Sequence, residues 1–183
     1  MPELTTRSDP SSPLLASPEY VEEQKRLHAV GNYGTAALKY GEVVSGLANS
    51  LRIQSILDYG CGSKRSLLRV LAPDHQVRYQ GYDPAVPEYH SKSPADLVVS
   101  IDVLEHIEPE LLDNVLDDLQ SLSPSFAFFT VHTGPANKVL SDGRNAHLIQ
   151  EPARWWLPRF LSRWDLLSFA ATPNGFNVVL KAL

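Results

Sequence analysis

The chain has 183 residues, of which 43% are apolar, enough for one domain around a single core and too few for two. Its formal net charge is -5, and the run from Asp102 to Asp118 carries Glu105, Glu108, Glu110, Asp113 and Asp117 without one Lys or Arg. A duplex binder needs a basic face to displace counterions, and this charge balance argues against nucleic acid as an obligatory partner, leaving room only for a local basic patch; the acidic run reads as a solvated helix face. One cysteine, Cys61, excludes an internal disulfide and a Cys-based zinc cluster. No apolar run approaches the ~20 residues that span a bilayer, and the N-terminus has no secretory pattern, so a cytoplasmic protein without membrane contact is expected.

Residues 1–17 are rich in Ser, Pro and Thr and read as a disordered tail. Ser17-Pro18-Glu19 marks a helix start, with Ser17 as N-cap and Pro18 in the first turn, and predicts a helix to Val30 that Gly31-Asn32 breaks. A second helix is expected from Tyr33 to Ser50, with Ala36, Ala37, Tyr40, Val43, Val44 and Leu47 on its buried face. The two helices, 18–50, suit a lid over a domain spanning 51–183. In that domain strands are expected at Ser55–Tyr59, Val77–Tyr82, Leu97–Ile101 and Phe126–Val131, and helices at Ser66–Leu71, Pro109–Leu122 and Glu151–Trp164. Leu166–Ala170 and Phe176–Leu180 read as two strands joined by Pro173-Asn174-Gly175. The alternation predicts an α/β, doubly wound, mainly parallel sheet with an antiparallel C-terminal strand. Trp155, Trp156 and Trp164 fall in one amphipathic helix and suit core packing or the interface of a homodimer.

In an open α/β sheet, ligands bind beyond the carboxyl ends of the strands, where the strand order reverses. Asp58-Tyr59-Gly60-Cys61-Gly62 sits at such an end. Gly60 and Gly62 permit positive φ and close approach of a ligand, and the helix expected after them would aim free N–H groups at the same place. Asp83, ending the second strand, stands where a carboxylate takes the hydroxyls of an adenosine ribose. The pyrophosphate-binding version of this loop wants a third glycine where Arg65 stands. Asp58, inside the strand end, suits a ligand with a cationic ammonium group. These residues point to S-adenosylmethionine ahead of a nicotinamide cofactor.

Ile56-Leu57-Asp58-Tyr59-Gly60-Cys61-Gly62 resembles the first motif of class I S-adenosylmethionine-dependent methyltransferases, and Tyr82-Asp83-Pro84 resembles their second. Ala95-Asp96-Leu97-Val98-Val99-Ser100-Ile101-Asp102-Val103-Leu104-Glu105-His106-Ile107 resembles their fourth-strand segment. The segment from His132 to His147, followed by Trp155-Trp156, is similar to a group of small methyltransferase-like proteins of bacteria and their phages. The resemblance implies a Rossmann-like fold. It places Gly60, Cys61 and Gly62 along the methionine part of the cofactor, Asp58 at its ammonium, and Asp83 and Pro84 at the ribose. Ile101, Asp102 and Val103 become the wall under adenine and sulfonium, and His106 lies near the pocket mouth. Three departures from the family pattern stand out. Ser63 and Lys64 replace a third glycine. The segment between Asp83 and Asp96 is too short for the usual helix and strand, so the third strand and an adenine-binding acid are expected to be missing. His132-Thr133 stands where exocyclic amino methyltransferases carry Asn-Pro-Pro-aromatic, which argues against methylation of a base amino group.

Methyl transfer is an in-line displacement at the sulfonium carbon, and a hydroxyl or ammonium acceptor calls for a base that titrates near neutrality. His132, at a strand's carboxyl end, and Arg144 and His147, in the long polar segment 133–150, are the candidate catalytic residues. His28, His75 and His90 read as surface residues. The histidines have no spacing that marks a metal site, so no metal is expected. A chain this short leaves no room for a separate target-recognition domain, and the expected function is a methyltransferase acting on a small molecule. The alternatives are an enzyme that turns S-adenosylmethionine on itself, by cyclisation to a cyclic amino acid or by lyase chemistry with release of methylthioadenosine, and a binding module without turnover.

Overall fold

The computed structural model describes residues 13–29 and 35–183. Its elements in chain order are α1 (Pro18–Ala29), α2 (Gly41–Leu51), β1 (Ser55–Tyr59), β2 (Arg78–Tyr82), β3 (Leu97–Ile101), α3 (Leu112–Leu122), β4 (Phe126–His132), α4 (Ala153–Leu161), β5 (Trp164–Thr172) and β6 (Gly175–Ala182). The strands form one sheet in the order β2-β1-β3-β4-β6-β5. The first four run parallel, and β6 and β5 close the sheet as an antiparallel pair. This is the doubly wound α/β architecture expected from the sequence. Among the described residues no strand lies outside β2, and a short 3₁₀ turn at Pro87–Tyr89 stands where the third strand is absent.

β1 and β3 are buried at every position, as strands covered on both faces must be. Alternate side chains go to opposite faces. Leu57, Val98 and Phe129 pack with Leu116 and Leu119 of α3 and with Trp156 and Phe160 of α4. Ile56, Leu97, Val99 and Phe128 pack with Val44 and Ala48 of α2 on the other face. Trp164 is not helical: it opens β5, is buried in the first of these clusters, and donates its Nε1–H to Ser123 Oγ at 3.0 Å. The rest of β5 is an open edge, exposed from Asp165 to Ala171.

The start of α1 is as expected, with Ser17 Oγ accepting the Tyr20 N–H at 3.1 Å. Residues 1–12 and the break at Gly31-Asn32 lie outside the described residues. Residues 13–17, read from sequence as tail, are held: the Ser17 N–H and hydroxyl both donate to the Glu108 carboxylate at 2.7 Å. The second helix opens as a 3₁₀ turn over Ala36–Tyr40 before α2, and Val43 is 45% exposed and not on its buried face.

The helix expected at Ser66–Leu71 does not form; the chain there makes successive turns. Gly62 and Arg65, just before it, both adopt left-handed φ, 62° and 44°, so no right-handed turn leads into the segment. The Arg65 guanidinium lies 4.9 Å over the Tyr89 ring, and the Ala72 N–H is taken by Ser45 Oγ of α2 at 2.9 Å. Six residues offer too few hydrogen bonds to offset the nucleation cost against these tertiary contacts. No helix dipole therefore points at the first-strand loop. No helix among the described residues is long and apolar enough to cross a membrane.

Candidate functional site

The chain leaves β1 for β2 on one side and returns to β3 on the other, so the strand order reverses at β1 and a crevice opens at the carboxyl ends of β1 and β3. The loop after β1 is pinned to the end of β2: the Gly60 and Cys61 N–H groups both donate to the Tyr82 carbonyl, at 2.8 and 3.0 Å. Gly60 has φ 83°, and a Cβ there would stand 2.4 Å from Val103 Cγ2, so only glycine fits. Asp83 Oδ2 accepts the Gly62 N–H at 3.0 Å, and its Oδ1 accepts the Ala85 N–H at 2.9 Å. The two loops thus clamp each other around a fixed carboxylate.

A cavity of about 310 Å³ fills the crevice, at the small end of the usual range for ligand sites. Asp58, Gly60, Cys61 and Gly62, Asp83 and Pro84, Ile101, Asp102 and Val103, and His106 all line it. The sequence therefore located one contiguous wall. Asp58 is 3% exposed, and its Oδ2 accepts the Tyr79 hydroxyl at 2.6 Å. Burial pushes its carboxyl up to about 6; the Tyr79 hydrogen bond opposes this and the Asp83 charge adds to it. No cation among the described residues lowers it, and an ammonium group entering the cavity would supply one. Burial also pushes the Cys61 thiol well up, so this cysteine is inert packing and not a nucleophile.

The roof comes from α1. Tyr20, Gln24 and His28, spaced one helical turn apart, line the cavity with Ala16 and Val21. His28 is not a surface residue. Its Nε2 lies 3.7 Å from Asp83 Oδ2, and burial lowers its pKa, against the pull of that carboxylate. The stripe Tyr20-Gln24-His28 is the signal in the sequence that marks it.

At the far end of the cavity β3 ends in Asp102, which adopts φ 51°. Its N–H donates to Thr130 Oγ1 at 2.9 Å and its carboxylate accepts the Thr130 hydroxyl, which fixes this left-handed turn. The following 3₁₀ turn, Leu104–His106, folds back under β4. Glu105, read from sequence as part of a solvated acidic face, is fully buried, with Oε1 accepting the His132 N–H at 3.0 Å. Burial, then the Asp102 charge, raises its carboxyl well above the usual range. His106 and His147 meet edge to face with ring centroids 4.7 Å apart, and the His132 ring lies 4.8 Å from that of His147. Burial is the main cause that lowers both His106, to about 4, and His147, so both rings are neutral at pH 7. His147 lines the cavity, whereas His132 lines a neighbouring one with Thr133, Asn137 and Asn174. Arg144 is not brought to the site: it is exposed and ion-paired with Asp142 at 2.7 Å, two residues before it in a surface turn.

A family profile described as a methyltransferase domain matches residues 23–179. No curated protein matches the chain in sequence. Among solved structures, it is similar to an O-methyltransferase family protein from Burkholderia thailandensis, at 14% identity over 89% of this chain with a TM-score of 0.60. This chain spans 58% of that protein's length. It is also similar to the Burkholderia thailandensis 1,6-didemethyltoxoflavin-N1-methyltransferase with bound 1,6-didemethyltoxoflavin and S-adenosylhomocysteine, at 16% identity over 92% of each chain with a TM-score of 0.57. A third likeness is to the 16S rRNA methylase ArmA, at 17% identity over 89% of this chain and 91% of that one with a TM-score of 0.55. At these identities the likeness is one of fold.

Proposed function

The chain belongs to the methyltransferase-domain family, and from that premise we propose that it moves the methyl group of S-adenosylmethionine to a small-molecule acceptor. The observation that carries this reading is the pair of buried carboxyls, Asp58 and Asp83, on either side of the Gly60–Gly62 loop and in one cavity. Asp58 takes the ammonium of the donor, Asp83 takes the ribose hydroxyls, and Ile101 and Val103 supply the apolar wall beside the adenine. Asp102, His106 and His147 then flank the acceptor. Each imidazole has its Nδ1 against a backbone carbonyl, at 2.7 Å, which leaves Nε2 as the nitrogen with the lone pair. Transfer forms a bond from the acceptor to the methyl carbon, leaves the C–S electron pair on sulfur, and releases the acceptor's proton to such a base.

A small acceptor is favoured by the covering of the crevice. α1 lies over it and is fastened on two sides, by Ser17 to Glu108 and by Glu23, which accepts the Ser141 N–H and hydroxyl at 2.8 and 2.7 Å. For self-association the same reading assigns the β5 edge, where Leu166, Leu167 and Phe169 are exposed; light scattering of wild type against Leu167→Lys tests it, and an unchanged mass refutes it.

The test of function is calorimetry with S-adenosylhomocysteine. Asp83→Ala should weaken binding by roughly 2–4 kcal/mol, the loss of two charge-assisted hydrogen bonds. Unchanged affinity in the folded variant refutes the ribose assignment. Incubation with S-adenosylmethionine alone should leave it intact; release of methylthioadenosine without an acceptor would establish the self-reaction instead. Methylation of RNA, but of no small hydroxyl or amine in a panel, would overturn the substrate class.

A further inference from the structure

We propose that Glu105, His106 and His147 hold a divalent transition-metal cation, through which an oxygen of the acceptor is bound beside the methyl donor. The proposal deepens the reading above and rests on it. One candidate ligand atom from each of the three residues lies within 4.8 Å of the other two. A cation with bonds of about 2.1 Å sets its ligand atoms about 3.0–3.4 Å apart in octahedral or tetrahedral geometry, so the widest pair must close by at most about 1.8 Å, a movement shared between two side chains.

The strongest sign is Glu105. It is fully buried, one oxygen accepts the His132 N–H, and Oε2 has no hydrogen-bond partner among the described residues. An orphaned carboxyl oxygen in the interior is costly, and a cation against it removes the cost. The two histidines are oriented as metal-binding imidazoles are. His106 Nδ1 lies 2.7 Å from the Ala146 carbonyl and His147 Nδ1 lies 2.7 Å from the Gly134 carbonyl. A carbonyl at Nδ1 fixes the proton there and directs the lone pair to Nε2. Their rings stand at 81° to each other.

The backbone holds this arrangement ready. The Ile149 N–H donates to the Glu105 carbonyl at 3.0 Å, and the His147 N–H donates to Asn145 Oδ1 at 2.9 Å. His147, distant in sequence, is thereby tied to the turn that carries Glu105 and His106. Asp102 lines the cavity beside His106 and His147, whereas Glu105 stands behind them in the interior. Two imidazoles and a carboxylate suit Mn²⁺, Fe²⁺, Co²⁺ or Zn²⁺ better than Mg²⁺ or Ca²⁺, which prefer all-oxygen sets. Three protein ligands leave coordination positions open; a hydroxyl bound there is acidified next to the methyl donor and, with both Nε2 lone pairs on the cation, gives its proton to Asp102 in place of an imidazole. The acceptor class this predicts is a hydroxyl compound.

Mn²⁺ titrated into the full chain, with the free ion followed by electron paramagnetic resonance, tests the site directly. Wild type should bind one Mn²⁺ per chain, and Glu105→Gln and His147→Ala should each weaken that binding by more than about tenfold. Circular dichroism reports the fold of each variant, and either variant alone suffices if the other does not fold. No saturable Mn²⁺ binding by wild type, or unchanged binding in a folded variant, overturns the proposal. Calorimetry with S-adenosylhomocysteine on the same samples separates the two readings. Cofactor binding without Mn²⁺ binding sinks the cation alone. Mn²⁺ binding without cofactor binding sinks the methyltransferase reading beneath it.

Discussion

Asp58 ties the cavity to the stability of the fold, and the coupling can be measured. Its carboxyl is raised from 3.8 to about 6 in the folded chain, chiefly by burial. A group whose folded pKa is raised gives stability that is fully present below the unfolded value and is lost as pH rises through the folded one. For Asp58 that window runs from about 4 to about 6. Holding the carboxyl that far above its ordinary value corresponds to about 3 kcal/mol, so above pH 6 the folded chain carries an ionised carboxylate that costs it about that much. Asp58→Asn is neutral at every pH and keeps an acceptor for the Tyr79 hydroxyl. The variant should therefore be more stable than wild type at pH 7.5, by up to about 6–12 °C in Tm for a chain of this size. The difference should vanish near pH 4.

The ligand reverses the sign. An ammonium beside Asp58 favours the ionised form, so binding below pH 6 must release a proton. Affinity for S-adenosylhomocysteine should rise about tenfold per pH unit between 4.5 and 6 and level off above. Calorimetry at pH 5 in two buffers of different ionisation enthalpy should show close to one proton released, falling to none at pH 7.5. Asp58→Asn should bind weakly with no such proton. If wild type binds with constant affinity across this range, or if Asp58→Asn is both destabilised and unimpaired in binding, then Asp58 does not meet the ammonium and the orientation of the donor is reversed.

Tyr79→Phe removes the hydrogen bond that opposes the rise of the Asp58 pKa, so the midpoint of the same binding profile should move above 6; a midpoint that stays or falls refutes that role. Gly60→Ala meets both a left-handed φ and a 2.4 Å approach to Val103, and should cost more than about 1–2 kcal/mol by thermal melting. Adding Val103→Ala should recover the steric part only. Glu108→Ala removes both bonds that fasten Ser17, so trypsin should cut at Lys25 or Arg26 faster while 35–183 stays resistant. Trp164→Phe leaves a buried hydrogen bond to Ser123 unmade and should lower stability by about 1–3 kcal/mol, with affinity for S-adenosylhomocysteine unchanged because the cavity does not reach it.

What the sequence makes legible is what local pattern determines. β1 and β3 read as strands because every position is apolar or suits a buried strand, and the glycine-bearing end of β1 reads as a ligand loop because the sheet topology follows from strand and helix alternation. The helix expected at 66–71 fails because its absence is decided elsewhere, by a left-handed Arg65 stacked on Tyr89 and by Ser45 of α2. Residue type alone draws Arg144 toward the substrate, and a carboxylate two residues away claims it.

The histidine-lined end of the cavity stays hidden for a more specific reason. Glu105 stands in an acidic run that also holds the exposed Glu110, Asp113 and Asp117, and nothing local distinguishes it from them. Its burial follows from the positive φ of Asp102, which Thr130 enforces from β4, and from Ile149, whose N–H pulls the long segment 133–150 onto the turn. Three histidines spread from 106 to 147 have no motif spacing because three separate pieces of backbone bring them together. A periodicity or a spacing rule sees one piece of chain at a time. A cluster assembled across β3, β4 and the loop after it becomes visible only when the hydrogen bonds between those pieces are known, and the same bonds give His106 and His147 one tautomer and one direction.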